Sequence, residues 1–223
     1  MTWVKICGTT NLDDALAAVE VGANALGFIF APSPRRIGPR AAREIIAHLP
    51  HEIEKIGVFV NESVQQICYL IAHVGVTGVQ LHGDEDEVFV RELRKTLNET
   101  RASHPPRLIK ALPVKDGFEE LAAKLGPDMV DCFLLDSATQ VRGGSGAAFD
   151  VALVKNFIRR HKTILAGGLT PMRVANMIQE CRPWGVDVVS GVEREPGKKN
   201  HDKVRAFVAA VRAVEAKTAQ ARS

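Results

Sequence analysis

Chemistry in this sequence concentrates where short apolar runs stop at a reactive side chain. The first such place is Lys5-Ile6-Cys7-Gly8. Alternation along an extended chain puts Lys5 and Cys7 on one face and Val4 and Ile6 on the other. A neighbouring cation lowers a thiol's pKa and makes it a usable base or nucleophile; without one, a lone cysteine is a small buried hydrophobe. The second place is Phe133-Leu134-Leu135-Asp136, an apolar run ending in a carboxylate. Such a group is costly to bury unless it is solvated, capped or used. The next helical pattern begins only near Asp150, too far on for Asp136 to cap it. Partial burial would raise its pKa and suit it to general-acid work. In Gln80-Leu81-His82-Gly83 the same alternation sends Gln80 and His82 inward, where His82 either titrates or hydrogen-bonds at a pocket edge.

Three glycine-rich turns add an anion-binding element: Gly143-Gly144-Ser145-Gly146, Gly167-Gly168 and Ser190-Gly191. Glycines let backbone N–H groups crowd around a phosphate. The stretch Gly191–Lys199 superficially resembles a nucleotide P-loop, but it is one residue too long and lacks Ser or Thr after the lysine. The segment Ala31-Pro32-Ser33-Pro34-Arg35-Arg36-Ile37 offers two guanidinium groups on a proline-stiffened turn, and one facing inward is enough to grip a carboxylate.

These positions need a scaffold that brings distant strand ends together. β-branched apolar runs predict strands near Trp3–Cys7, Ala25–Phe30, Lys55–Val60, Gly78–Leu81, Arg107–Ala111, Val130–Leu135, Thr163–Ala166 and Val186–Val189. Between them apolar residues fall at helical spacing, as in Leu12, Ala15, Leu16 and Val19, or Val204, Phe207, Val208 and Val211. Asn11 and Pro39 mark helix starts, and Thr170-Pro171 reads as an N-cap followed by proline at the first helical position. Strand and helix alternate throughout, which predicts a single-domain α/β fold, a closed (β/α)8 TIM barrel over residues 1–216. Lys217–Ser223 is expected to be a polar, fraying tail. In such a barrel, function gathers where strands end, and phosphate is held after strands seven and eight.

Composition narrows the class. The 223 residues carry Lys+Arg 29 against Asp+Glu 26, a net charge of +3 with no basic block, so no nucleic-acid partner is expected. There is no apolar run long enough for a membrane span. Cys7, Cys68, Cys132 and Cys181 are widely spaced, unlike a zinc site or a disulfide framework, and read as reduced cytoplasmic thiols.

Taken in order, these stretches resemble the phosphoribosylanthranilate isomerase family, barrel enzymes of tryptophan biosynthesis. The resemblance rests on Lys5-Ile6-Cys7-Gly8, Gly27-Phe28-Ile29-Phe30, Ser33-Pro34-Arg35 and Gly57-Val58-Phe59-Val60-Asn61. It continues through Val79-Gln80-Leu81-His82-Gly83-Asp84, Leu134-Leu135-Asp136 and Gly143-Gly144-Ser145-Gly146. It closes with Leu165-Ala166-Gly167-Gly168-Leu169 and Asp187-Val188-Val189-Ser190-Gly191-Val192-Glu193. The resemblance implies an Amadori rearrangement of a small phosphorylated substrate, without metal or cofactor, by a monomer or homodimer. It implies Cys7 as general base, Asp136 as general acid and Arg35 as the grip on the substrate carboxylate. Gly144, Gly146, Gly167, Gly168, Ser190 and Gly191 would hold the phosphate, with Lys5, Gln80, His82 and Asp187 as further pocket residues. Thr9, Arg36 and Ala147 depart from the family's usual leucine, aromatic residue and lysine. The related isomerase of histidine biosynthesis uses a pair of aspartates, one ending the first strand, where this chain has Cys7. A dual-substrate form and a non-catalytic phosphosugar-binding barrel compete with these two enzymes, because a barrel fold alone does not fix a function.

Overall fold

A computed structural model describes residues 1–99, 105–115, 117–126, 128–136 and 151–220. Eight parallel strands close into a barrel in chain order. They are β1 (Trp3–Cys7), β2 (Ala25–Ile29), β3 (Glu54–Phe59), β4 (Gly78–Leu81), β5 (Arg107–Pro113), β6 (Cys132–Asp136), β7 (Thr163–Ala166) and β8 (Gly185–Val188). Pairing of β8 with β1 shuts the ring, with Lys5 opposite Asp187. The helices around it are α1 (Leu12–Glu20), α2 (Pro39–Ile46), α3 (Val64–Val74), α4 (Glu87–Asn98), α5 (Phe118–Lys124), α6 (Val151–Arg160), α7 (Val174–Cys181) and α8 (His201–Gln220). After β8 the chain makes a short 3₁₀ turn, Ser190–Val192, and an antiparallel hairpin of β9 (Glu193–Glu195) and β10 (Lys198–Lys199).

The period-two alternation sorts the core into two layers. Outward Val4, Ile6, Leu26 and Phe28 pack under the helices, together with Val204, Phe207, Val208 and Val211 of α8. Inward Ala25, Ile56, Ile109, Ala111, Cys132, Leu134, Ile164 and Ala166 fill the barrel itself. Its floor is aromatic: Trp3 stacks on Trp184 with ring centroids 5.1 Å apart. Arg107 lies 5.1 Å from the Trp184 ring centroid, and Glu54 accepts from Trp3 Nε1 at 3.0 Å while pairing with Arg107.

Helix starts follow local chemistry. Asn11 accepts the Asp14 N–H at 2.9 Å, and Pro39 occupies the first turn of α2, as expected. One reading needs correction. Thr170-Pro171 does not cap α7, which begins at Val174; the Thr170 carbonyl instead accepts from Arg173 and Val174 in a preceding turn. Helix α8 runs on to Gln220, into the polar segment that begins at Lys217. Ala216, Lys217 and Gln220 are strong helix formers, so nothing local stops the helix at residue 216.

Candidate active site

The strand ends converge on one cavity at the mouth of the barrel. Cys7 of β1, Gln80 and His82 at the end of β4, Asp136 of β6 and Asp187 of β8 all line it. Gly167, Gly168, Ser190 and Gly191 line it from the loops after β7 and β8. Residues that lie far apart in the chain are thus brought into one enclosure by the closed topology.

Cys7 is placed by its neighbours. Gly27 is its register partner on β2, and a Cβ there would lie 2.5 Å from the Cys7 sulfur, so only glycine leaves room for the thiol. Beneath it, Lys5 Nζ lies 2.9 Å from Asp187 Oδ1, with the two side chains 0% and 5% exposed. The sequence suggested that a cation would lower the thiol's pKa. Instead, burial pushes the Cys7 thiol up, and the lowering influence of Lys5 and Lys199 does not overcome it. Burial is the main cause; Lys5 interacts with the thiol but is shared with Asp187, whose own charge opposes thiolate formation. Site-resolved labelling with iodoacetamide is expected to show Cys7 modification still accelerating above the ordinary thiol range. A rate already flat at neutral pH would contradict the upward shift.

Asp136 ends β6, partly exposed, with His82 Nε2 3.4 Å from its Oδ2. On the other side of the imidazole, Gln80 Nε2 lies 2.8 Å from His82 Nδ1. An amide donating to Nδ1 leaves the ring proton on Nε2, facing the carboxylate. The Gln80 Oε1 atom is buried in this cavity wall without a hydrogen-bond partner among the described residues. The loop carrying His82 is pinned by a buried ion pair: Lys110 Nζ reaches both the Gly83 carbonyl and Glu85 Oε2 at 2.7 Å.

The turns after β7 and β8 are shaped for close approach. Gly167 and Gly168 have φ of 88° and 64°, the left-handed region that glycine enters without strain. A Cβ at Gly191 would stand 1.9 Å from the Leu169 carbonyl oxygen, so glycine is required for the two loops to meet. Gly144 and Gly146, read as part of the same anion site, lie outside the described residues. Among the described residues, no group of three or more His, Cys, Asp or Glu is placed to hold a metal ion.

Of the two arginines, Arg36 is exposed and Arg35 is the one drawn in. Arg35 passes over Gly8, where an added Cβ would stand 3.0 Å from its Cδ. Its Nε and Nη2 fork onto Glu193 of β9 at 2.7–3.0 Å. Glu193 also lies 3.1 Å from Lys199 Nζ, and Lys199 donates to the Cys7 carbonyl. Sequence reasoning gave Glu193 and Lys199 no role. The available signal was a buried-looking acid, Glu193, closing an apolar stretch directly after β8 with Lys199 six residues on, but its Arg35 partner sits at the other end of the chain.

The family model for N-(5′-phosphoribosyl)anthranilate isomerase matches residues 4–210. The isomerase of that name from Syntrophus aciditrophicus is 42% identical over 214 residues, covering 95% of this chain and 88% of its own. A crystal structure of phosphoribosylanthranilate isomerase in complex with reduced 1-(o-carboxyphenylamino)-1-deoxyribulose 5-phosphate superposes with a TM-score of 0.80 at 37% identity. It covers 96% of this chain and 100% of that one. Monomers generated from the dimeric Thermotoga maritima isomerase give the same TM-score of 0.80 at 37% identity, over 96% of this chain and 100% of that one.

Proposed function

The chain belongs to the N-(5′-phosphoribosyl)anthranilate isomerase family, and we propose that its own residues divide the family's rearrangement among them as follows. Its activity is the isomerisation of N-(5′-phosphoribosyl)anthranilate in tryptophan biosynthesis. The product is 1-(2-carboxyphenylamino)-1-deoxyribulose 5-phosphate. The observation that carries the assignment of roles is that Cys7 and Asp136 line the same cavity as the Gly167-Gly168 and Ser190-Gly191 turns. A phosphate held by those turns brings its sugar into the enclosure of the thiol and the carboxyl.

The reaction begins with Asp136 as general acid. As the bond between C1′ and the ring oxygen breaks, its electron pair goes to that oxygen, which takes the Asp136 proton. The aniline nitrogen's lone pair forms a C1′=N⁺ iminium. That cation makes the C2′ proton acidic, and the Cys7 thiolate removes it. The C–H pair becomes the C1′=C2′ bond and the iminium pair returns to nitrogen. Return of a proton to C1′ as the C2′ hydroxyl becomes a carbonyl completes the ketone. The thiol's raised pKa fits this order, because the iminium adds positive charge to that of Lys5 and Lys199, which alone does not offset burial of the thiol. His82 fixes the orientation of the Asp136 carboxyl, Arg35 anchors the anthranilate carboxylate, and the glycine turns anchor the phosphate, so both ends of the substrate are held across the reacting carbons.

Purified chain is expected to consume the fluorescent substrate, and its gene to rescue a tryptophan-requiring strain that lacks this isomerase. Failure of both would favour a non-catalytic phosphosugar barrel. Turnover of the histidine-pathway substrate as well would favour the dual-substrate form. A cytoplasmic monomer or homodimer goes with this reading. The four cysteines are free, and separately, no described helix is long and apolar enough to cross a membrane, which does not bear on compartment.

A further inference from the structure

Two cations and one anion meet at the rim of the mouth. Glu193 is held by Arg35 at 2.7–3.0 Å, by Lys199 Nζ at 3.1 Å and by the Gly197 N–H at 3.1 Å. The Glu193 and Lys199 side chains are 4% and 1% exposed, whereas Arg35 keeps 22% of its side chain in solvent. Burial alone would raise the Glu193 carboxyl, yet the Arg35 hydrogen bonds and the Lys199 charge hold it below the usual carboxylate range. Glu193 therefore stays ionised. Arg35 and Lys199 set against Glu193 leave this cluster one positive charge in excess.

The fork on Glu193 uses Nε and Nη2 of Arg35, and Nη1 takes no part in it. Lys199 extends the cluster to β1 through the Cys7 carbonyl, and its backbone N–H is anchored on Asp14 at 2.7 Å. A free arginine side chain loses rotamer entropy when it is ordered; here that ordering precedes any ligand.

Resting on the reading of Arg35 as the carboxylate anchor, we infer that Glu193 is a positioning residue for the substrate's aryl carboxylate. It grips the guanidinium by one edge and offers the other to the ligand. Through Lys199 it ties that grip to the backbone of Cys7. Recognition of the aromatic acid and placement of the thiol then belong to one rigid unit, the β9–β10 hairpin.

Charge and position make opposite predictions here, which gives the test its edge. Neutralising Glu193 adds net positive charge to the rim, so a purely Coulombic role would tighten carboxylate binding. A positioning role would weaken it.

The probes are reduced 1-(o-carboxyphenylamino)-1-deoxyribulose 5-phosphate and its phenylamino analogue without the carboxyl, titrated by calorimetry. Glu193→Gln is expected to weaken the carboxylated probe by about 10- to 100-fold, the range of one charge-assisted contact, and the analogue by less than about twofold. Glu193→Asp keeps a charge for the buried Lys199 and should fold even where Glu193→Gln does not; it is expected to fall between the two. Equal weakening of both probes, no weakening, or tighter binding of the carboxylated probe would overturn the positioning role. Arg35→Ala separates the two levels. If it leaves the preference for the carboxylated probe intact, the anchor reading fails and the inference with it. If it abolishes that preference while both Glu193 variants keep it, only the inference fails.

Discussion

Cys7→Ser and Asp136→Asn are each expected to lower kcat by about 10²- to 10⁴-fold, the usual contribution of one positioned proton-transfer group. KM should move little, because neither side chain is assigned to the phosphate or carboxylate anchors. Serine fits the space that Gly27 leaves for the Cys7 side chain, so the loss belongs to the thiol's acidity and not to packing. Asparagine preserves an acceptor for His82 at Asp136 but has no proton to give the ring oxygen. Steady-state kinetics with far-ultraviolet circular dichroism as a control decides the matter. A kcat within a few-fold of wild type in either variant would remove that residue from its role. Because the two groups act in sequence on one substrate, the double variant should be no slower than about the worse single one.

The largest effect on stability is expected from breaking the pair at the barrel's centre. Lys5→Met leaves Asp187 as a buried charge without its ammonium, which costs about 3–5 kcal/mol. For a chain of this size each kcal/mol moves Tm by about 2–4 °C, so the midpoint should drop by roughly 6–20 °C. Adding Asp187→Leu should recover most of the loss, since a buried pair replaced on both sides by apolar groups is often neutral. Differential scanning calorimetry on the two variants and wild type reads this directly. A single variant within about 0.5 kcal/mol of wild type would mean that the pair is solvated in a way its burial contradicts.

Much of this architecture was legible in the residues themselves. Trp3–Cys7, Gly78–Leu81 and Thr163–Ala166 are strands with the expected bounds, because β-branched runs between turn-forming residues have few other options. The inward facing of Lys5 and Cys7 followed from period two, and the barrel interior confirms it. What escaped depends on contacts between distant parts of the chain. No local pattern joins Arg35 to Glu193 or Lys199 to the Cys7 carbonyl, because the closed ring makes these neighbours. The sign of the thiol's shift escaped because burial, its main cause, is set by the closed barrel; Lys5 lies two residues away, and Asp187, which opposes its effect, lies at the far end of the chain. The Thr170-Pro171 reading failed differently: the residue types suit a cap, yet the chain spends them on a turn before α7.

The aromatic floor carries a meaning in time as well as in space. Trp3 and Trp184 are the chain's two tryptophans, one in the first strand and one just before the last strand of the ring. During synthesis at about 5–20 residues per second, the second indole is made roughly 10–40 seconds after the first. Until then β1 lacks its β8 edge, and the Trp3 ring lacks the indole it stacks upon. The stacked pair therefore forms only with ring closure, at the end of the barrel opposite the ligand mouth. Intrinsic tryptophan emission in this protein is a clock for barrel completion, set apart from the fluorescence of the substrate that the finished barrel consumes.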